Sequence, residues 1–318
     1  MEFSDPMNST VIGDPLQQLY ARQRSVCITG MNVLRTFNCS DNPLDIFEAY
    51  VDFGGVRLRS CRRWFGQGVG KYGEWLNSRV IFRGEDLDYG DDPRIFLHQG
   101  NICIVANVYT VDHGFRNHLI EFQASDRWAR YFLMPPKQVE PGKNWSPLQL
   151  PDGRLAFVHS FSPLRLLIET KREHGVILLS QVNASGISPE EGDGRGFPAH
   201  RGGSNGVTSG NLAFGVGHTT QLAKNPDGNP VISPGCYYGD NIQLIHRPFF
   251  WCIDFLNLGI VHGRIDFNWD SRFWIIDPTS LILDPKAGRG FLYTTEVERS
   301  FVDPTSAARS VEYRIEIH

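Results

Sequence analysis

The segment YGDDPRIF, Tyr89 to Phe96, stands just ahead of the apolar run ICIVANVY, Ile102 to Tyr109. Two acids, a proline and an arginine therefore sit at the mouth of one strand, and the strand that follows is apolar enough to be buried on both faces. A solvated turn closed by an ion pair is one reading of Asp91, Asp92 and Arg94. A catalytic acid with a charged neighbour is the other. What surrounds the segment decides between them, because the same arrangement recurs along the chain.

Runs of four to eight residues, many rich in β-branched and aromatic side chains, alternate with turns containing Gly, Asp, Asn and Pro. DIFEAYVDF, SRVIFR, HLIEFQ, RYFLM, RLAFVHSF, LRLLIET, VILLSQV, NLAFGVGH, IQLIHR, FFWCIDF, RFWIID and FLYTTEVE are such runs, and LPDGRL and NPDGNP are such turns. A helix is predicted only near the start, where Asp14 can cap, Pro15 fits the first turn and LQQLYARQR follows. An aromatic content of 12% with 32 Gly and 19 Pro suits an all-β chain. A chain of 318 residues is too long for one sandwich. Four short polar segments, DDPRIF, KNWSPLQL, RGGSNGV and IIDPTSL, each precede or join a strand at intervals of roughly fifty to seventy residues, near the blade length of a propeller. The sequence predicts a propeller of about five to seven blades. It is read as a single domain over 1–318, with 1–25 as an N-terminal extension bearing the helix. The polar stretch 188–203 is read as a long surface loop.

The net charge of −4 gives no basic excess for nucleic acid. No apolar stretch reaches the length of a membrane span, and MEFSDPMNST lacks the features of a signal peptide. The six cysteines form no CxxC pair, so no zinc site is expected, and those in CITG, ICIVAN and FWCIDF read as small buried hydrophobes. Together these predict a cytoplasmic protein with no metal and no cofactor, and leave its oligomeric state open.

In a propeller the mouths of the innermost strands converge on one axis, so polar residues far apart in sequence can build one site. Pro93 restricts Asp92 to extended backbone, and Arg94, two residues on, is expected on the same side of the strand. A general acid there needs burial to outweigh the arginine. Lys143 and Asn144, beside Trp145, suit a sugar or an anion. Arg201 opens RGGSNG, whose glycines permit close backbone approach. His218, ending NLAFGVGH, is placed for an oxyanion or a sugar hydroxyl. Alternation puts Glu296 and Glu298 on one face. Asp277, in Asp-Pro-Thr, reads as a structural turn. A surface turn, a packed Trp or a solvated face explains each of these taken alone; their spacing favours a joint site.

These segments together resemble the inverting β-mannoside phosphorylases and mannosidases of glycoside hydrolase family 130 and the related β-1,2-mannosyltransferases of glycosyltransferase family 108. DDPR is similar to the (E/Y)DPR motif of the former. KNWSPL followed by LPDGRLAFVHS resembles its lysine-bearing segment, and RGGSNGV followed by NLAFGVGH its Gly-rich one. The likeness runs from about Cys27 to Glu298. It implies a five-bladed propeller acting on a glycosidic bond, with Asp92 as general acid and inorganic phosphate as a possible co-substrate cradled by Arg94, Lys143, Arg201 and His218. Hydrolysis would instead need a second carboxylate, for which Glu298 or Glu296 is the candidate. Arg127 and Arg130 depart from the family's usual second blade, as does the C-terminal part from its closing one. A propeller cleaving arabinan or fructan would need three converging carboxylates. A platform that binds a glycan or a protein without catalysis would tolerate loss of Asp92.

Overall fold

The computed structural model describes residues 15–22, 25–38, 47–70, 73–110, 114–124, 127–139, 142–184, 200–231, 243–298 and 307–318. Asp14 and most of the 188–203 stretch lie outside them. The chain is a five-bladed β-propeller with one short helix, as the sequence and its resemblance imply.

Each blade is four antiparallel strands. The first is β2 (Glu48–Phe53), β3 (Val56–Gly70), β4 (Gly73–Phe82) and β5 (Glu85–Tyr89). The second is β6 (Asp91–His98), β7 (Asn101–Thr110), β8 (Gly114–Ala124) and β9 (Arg127–Met134). The third is β10 (Ser146–Gln149), β11 (Leu155–Phe161), β12 (Leu164–Glu173) and β13 (Val176–Ala184). In the fourth the inner position is split between β14 (His200–Arg201) and β15 (Val207–Ser209), both paired with β16 (Leu212–Leu222), and β17 (Leu244–Asp254) and β18 (Gly259–Asp266) follow. The fifth is β19 (Ile275–Asp284), β20 (Arg289–Val297) and β21 (Ala307–Ile317), completed on its outside by β1 (Val26–Asn38), which pairs antiparallel with β21 from Val26↔Ile317 to Asn38↔Ala307. The ring is thus closed by joining the two ends of the sequence in one blade. Outermost strands of neighbouring blades also pair, in parallel: β9 with β13 and β1 with β18.

Apolar side chains fill the wedges between blades. Val80, Ile95 and Ile104 pack between the first and second. Phe96, Trp145 and Phe157 do so between the second and third, and Leu148, Phe161 and Trp251 between the third and fourth. Full burial of such a side chain contributes roughly 1.5–3 kcal/mol. The helix α1 (Pro15–Arg22) adds Leu16 and Leu19, one turn apart on one face and fully buried, to the wedge between the fourth and fifth. The wedge between the fifth and first is polar. There Tyr50 and Tyr293 stack with centroids 4.4 Å apart, the Tyr50 N–H donates to Ser280 Oγ at 2.6 Å, and Arg35 reaches the fully buried Glu48 at 2.7 Å.

Several strands are longer than the expected four to eight residues; β3 has fifteen. The charged strands β3 and β21 escape a hydrophobic search because ionic side chains alternate along them.

Candidate active site

The inner strands all begin at one end of the propeller, and their mouths carry the site. Asp91 and Asp92 open β6, Lys143 and Asn144 precede β10, Arg201 lies in β14 and Asp277 in β19.

The mouth of β6 is not the regular extended strand its proline predicts. Asp91 pairs with Asn107 and Arg94 with Val105, so three steps on β6 face two on β7. The extra residue is a bulge. Pro93 suits it, having no N–H to leave unpaired, and Asp92 takes a left-handed φ of +49°. The bulge breaks the alternation, so sequence spacing no longer puts Asp92 and Arg94 on one side. Among the described residues six non-glycines have positive φ; Arg83, Gln99, His174 and Leu258 lie in hairpin turns, while Asp92 and Asn144 (φ +68°) lie at the axis. Backbone held in this region costs on the order of 1–3 kcal/mol and concentrates at functional sites.

Arg62 of β3 supplies the cation that touches both acids. Its Nη1 donates to Asp91 Oδ1 at 2.6 Å and to Asp92 Oδ1 at 3.0 Å. Lys143 Nζ lies 3.8 Å from Asp92 Oδ2. Burial raises both carboxyl groups, with opposite outcomes. For Asp91, Arg62 and then Lys143 outweigh burial, and it is held below the usual carboxylate range. For Asp92, burial and the Asp91 charge prevail over Lys143, Arg62 and Arg94, and its pKa is raised. One member of the pair is thereby kept ionised and the other is favoured as a proton donor. Asp92 also keeps 12% of its side chain exposed, and Lys143 24%, so both can meet a ligand.

Arg94 has a different part from the ligand clamp expected of it. It is 3% exposed, and its guanidinium donates to the Gly203 carbonyl, to the Pro278 carbonyl at 3.3 Å and to Asn144 Oδ1 at 3.1 Å. It bolts the second blade to the third, fourth and fifth. Gly202 and Gly203 are small for a related reason. A methyl on Gly202 would collide with the Asn144 carbonyl, and one on Gly203 would stand 2.6 Å from the Val216 carbonyl. The first approach joins the third and fourth blades, and the second packs the inner edge of the fourth blade against its own β16. Trp145 is buried against Phe157 and His159 and offers no face to a sugar.

On the far side of the axis lies a group the sequence concealed. Asp277 is a strand residue with a partly exposed carboxylate, not a turn. Its Oδ1 is 2.6 Å from His246 Nδ1 and 3.8 Å from His218 Nδ1, and the two imidazoles stack at 4.7 Å. Burial would raise Asp277, but His246 and His218 hold it well below the carboxylate range. Burial lowers His218 well below the usual imidazole value, only partly offset by Asp277. Arg201, buried and paired by its backbone with His218, lowers it further.

Glu296 and Glu298 are not brought to this site. Glu296 pairs across the sheet with Ile276, so it takes the face opposite Asp277. It is fully buried there, bound by Thr294 at 3.0 Å, Arg309 Nε at 2.8 Å and Tyr313. Glu298 lies beyond the end of β20, 3.4 Å from the Ala307 N–H. Among the described residues the charged neighbours acting on Asp92 are Asp91, Lys143, Arg62 and Arg94. Arg127 and Arg130 lie on β9, the outermost strand of the second blade.

No protein-family model matches this chain, and no curated protein matches it. Solved structures do. A glycoside hydrolase candidate from Parabacteroides distasonis is 11% identical, with a TM-score of 0.54 covering 97% of this chain and 95% of that one. A mannose phosphorylase from Leishmania mexicana, solved with a phosphate ion, is 11% identical with a TM-score of 0.49, covering 94% and 91%. A GDP-mannose-dependent mannosyltransferase from the same organism is 13% identical with a TM-score of 0.49, covering 95% and 93%. At these identities the first likeness is one of fold: the chain is similar in architecture to the Parabacteroides protein over nearly the whole of both.

Proposed function

We propose that this chain is a carbohydrate-active enzyme that makes or breaks a glycosidic bond at the propeller axis, with a β-mannoside as substrate and inversion at the anomeric carbon. The observation that carries the reading is Asp92: a carboxyl group in a strained bulge, partly open to ligand, with its pKa raised beside an ionised Asp91. Its proton passes to the bridging oxygen as the bond from that oxygen to the anomeric carbon breaks. The incoming oxygen forms its bond from the opposite face of the sugar.

Phosphate is the favoured incoming group for phosphorolysis, and a sugar hydroxyl for mannosyl transfer. Four cations, Arg62, Lys143, Arg94 and Arg201, stand around Asp91, Asp92 and Asp277. Lys143 and Asn144 are the residues proposed to touch the ligand, with the neutral His218 as a hydrogen-bonding partner, while Arg94 and Arg201 orient the pocket. No metal or cofactor is needed for this chemistry.

One observation favours hydrolysis as a second reading. Asp277 is an ionised carboxylate at the axis, and it acts electrostatically on Arg94 as Asp91 and Asp92 do. In that case it, and neither glutamate, would activate water. Product analysis on β-1,2-linked manno-oligosaccharides, with and without inorganic phosphate, separates the readings. Mannose 1-phosphate formed only with phosphate supports the phosphorylase. Free mannose without phosphate supports the hydrolase. No turnover, even with mannose 1-phosphate or a nucleotide sugar as donor, contradicts both and leaves a different sugar or a non-catalytic platform.

A further inference from the structure

We propose that His98, Cys103 and Glu121 form a binding site for a thiophilic divalent transition metal such as zinc, between the second and third blades at the end of β6 opposite Asp92. The site is separate from the axial chemistry: His98 lies six residue steps along β6 from Asp92, about 20 Å of strand.

One ligand atom from each of the three side chains lies within 4.8 Å of the others. The register explains why. Cys103 pairs with Phe96 on β6 and with Glu121 on β8, so all three share a face, and His98 shares it two residues further along β6. The residues are 4%, 0% and 7% exposed respectively, so this is not a chance cluster on a solvated surface. The adjoining turn residues Gln99 and Gly100 are exposed, which puts the site one layer from solvent.

His98 is set up as a ligand. Its Nε2 is 3.0 Å from the Gly153 carbonyl oxygen of the third blade. A carbonyl can only accept, so Nε2 carries the proton and Nδ1 the lone pair. That Nδ1 is buried and has no hydrogen-bond partner. Metal-bound histidines are oriented in this way, by a hydrogen bond from the other ring nitrogen to a carbonyl or carboxylate. Glu121 is held similarly: Arg172 donates to its Oε2 and Asn101 Nδ2 to its Oε1 at 3.2 Å.

The charges close. Arg172 is shared between Glu121 and Glu169, which leaves one negative charge in excess. The Cys103 thiol is free and buried. When M²⁺ binds, the S–H bond breaks, sulfur keeps the electron pair and bonds the metal, and the proton leaves to water. The metal's two positive charges then balance the thiolate and the excess carboxylate. Sulfur, imidazole and carboxylate together suit zinc, with a fourth position left for water. Among the described residues one other cluster of this kind, His218, His246 and Asp277, stands under the positive field of Arg94 and Arg201 and suits a cation less.

The test uses the full chain, stripped with chelator and titrated with cobalt(II) and then zinc(II). The expected result is one equivalent of cobalt bound with a thiolate-to-cobalt charge-transfer band, and displacement of that band by zinc. Zinc should raise the unfolding temperature of the wild type. Cys103→Ser should lose both the band and the zinc-dependent rise. His98→Gln should weaken zinc binding by at least about tenfold. If Cys103→Ser does not fold, Glu121→Gln serves, and it should keep the band with weakened affinity. Absence of the band and of any zinc effect on unfolding overturns the proposal. So does an unchanged band in folded Cys103→Ser, or unchanged affinity in Glu121→Gln.

Discussion

Asp91 and Asp92 share a single guanidinium nitrogen, Nη1 of Arg62, at 2.6 and 3.0 Å, yet their acidities are driven in opposite directions. Asp91 has the shorter contact and remains charged. That charge helps keep the proton on Asp92. The division of labour between two adjacent carboxylates gives the site its first test.

Asp91→Asn removes the negative neighbour that raises Asp92 and leaves Arg62 to Asp92 alone. The pKa of Asp92 should fall. Since the acid works protonated, the alkaline limb of the pH–rate profile should move to lower pH, and turnover at neutral pH should fall by roughly 10- to 100-fold. A profile of kcat/KM against pH reads both effects.

Arg62→Met leaves two largely covered carboxylates without the one cation that bonds both. Breaking a buried pair in this way costs about 3–5 kcal/mol, measurable by urea unfolding. In whatever fraction remains folded, Asp92 should hold its proton to higher pH, so the alkaline limb should move up, opposite to Asp91→Asn.

Glu296→Gln and Glu298→Gln should behave differently from each other. Glu296 pairs with Arg309 while fully buried, so its loss should destabilise by about 3–5 kcal/mol. Glu298, outside the strand, should change stability by no more than about 0.5 kcal/mol and leave turnover unaltered. A large loss of turnover in folded Glu298→Gln would return it to the site.

Two buried histidines set the response to acid. Burial, and then Arg130, lowers His118 to about 3. His218 is lowered well below its usual value, chiefly by burial. Because these folded-state pKa values lie below the unfolded one, their contribution is complete above about pH 6.5 and is lost as pH falls from there towards the folded values. Each group that charges only on unfolding contributes a slope of about 1.4 kcal/mol per pH unit. Stability from urea melts at pH 7, 6, 5 and 4 should therefore decline steeply, and His118→Gln should make the decline shallower by about that amount. Asp277, held low by its histidines, adds a further loss below about pH 4.

The parts of this structure legible in the sequence are those set by local chemistry. Apolar runs and turn residues revealed most of the strands, Pro15 and the leucines after it the helix, and the spacing of polar segments the blades. Asp92 was singled out because its polar segment recurs with others at blade spacing; taken alone it reads as well as a solvated turn. What was hidden depends on register. Arg62 sits in RLRSCRRWF, where its charge is one of four and nothing marks the one that turns to the axis. Asp277 precedes a proline and looks like a turn until pairing with Thr295 places it inside a sheet. Glu296 has the composition of a site residue, but one step along the strand carries it to the other face. Arg94 was read as a ligand clamp because its task of joining four blades is done partly through carbonyls that no sequence pattern displays.

The central claim is that Asp92 is the proton donor, and the most direct measurement is turnover of wild type and Asp92→Asn on β-1,2-linked manno-oligosaccharides with phosphate, alongside their melting curves. An amide at this position keeps the shape of the side chain but has no acidic proton to give. Turnover should drop by roughly 10²–10⁴-fold in a protein whose folding is retained. Wild-type turnover in folded Asp92→Asn would contradict the assignment and, with it, the reading of the β6 mouth as the seat of catalysis.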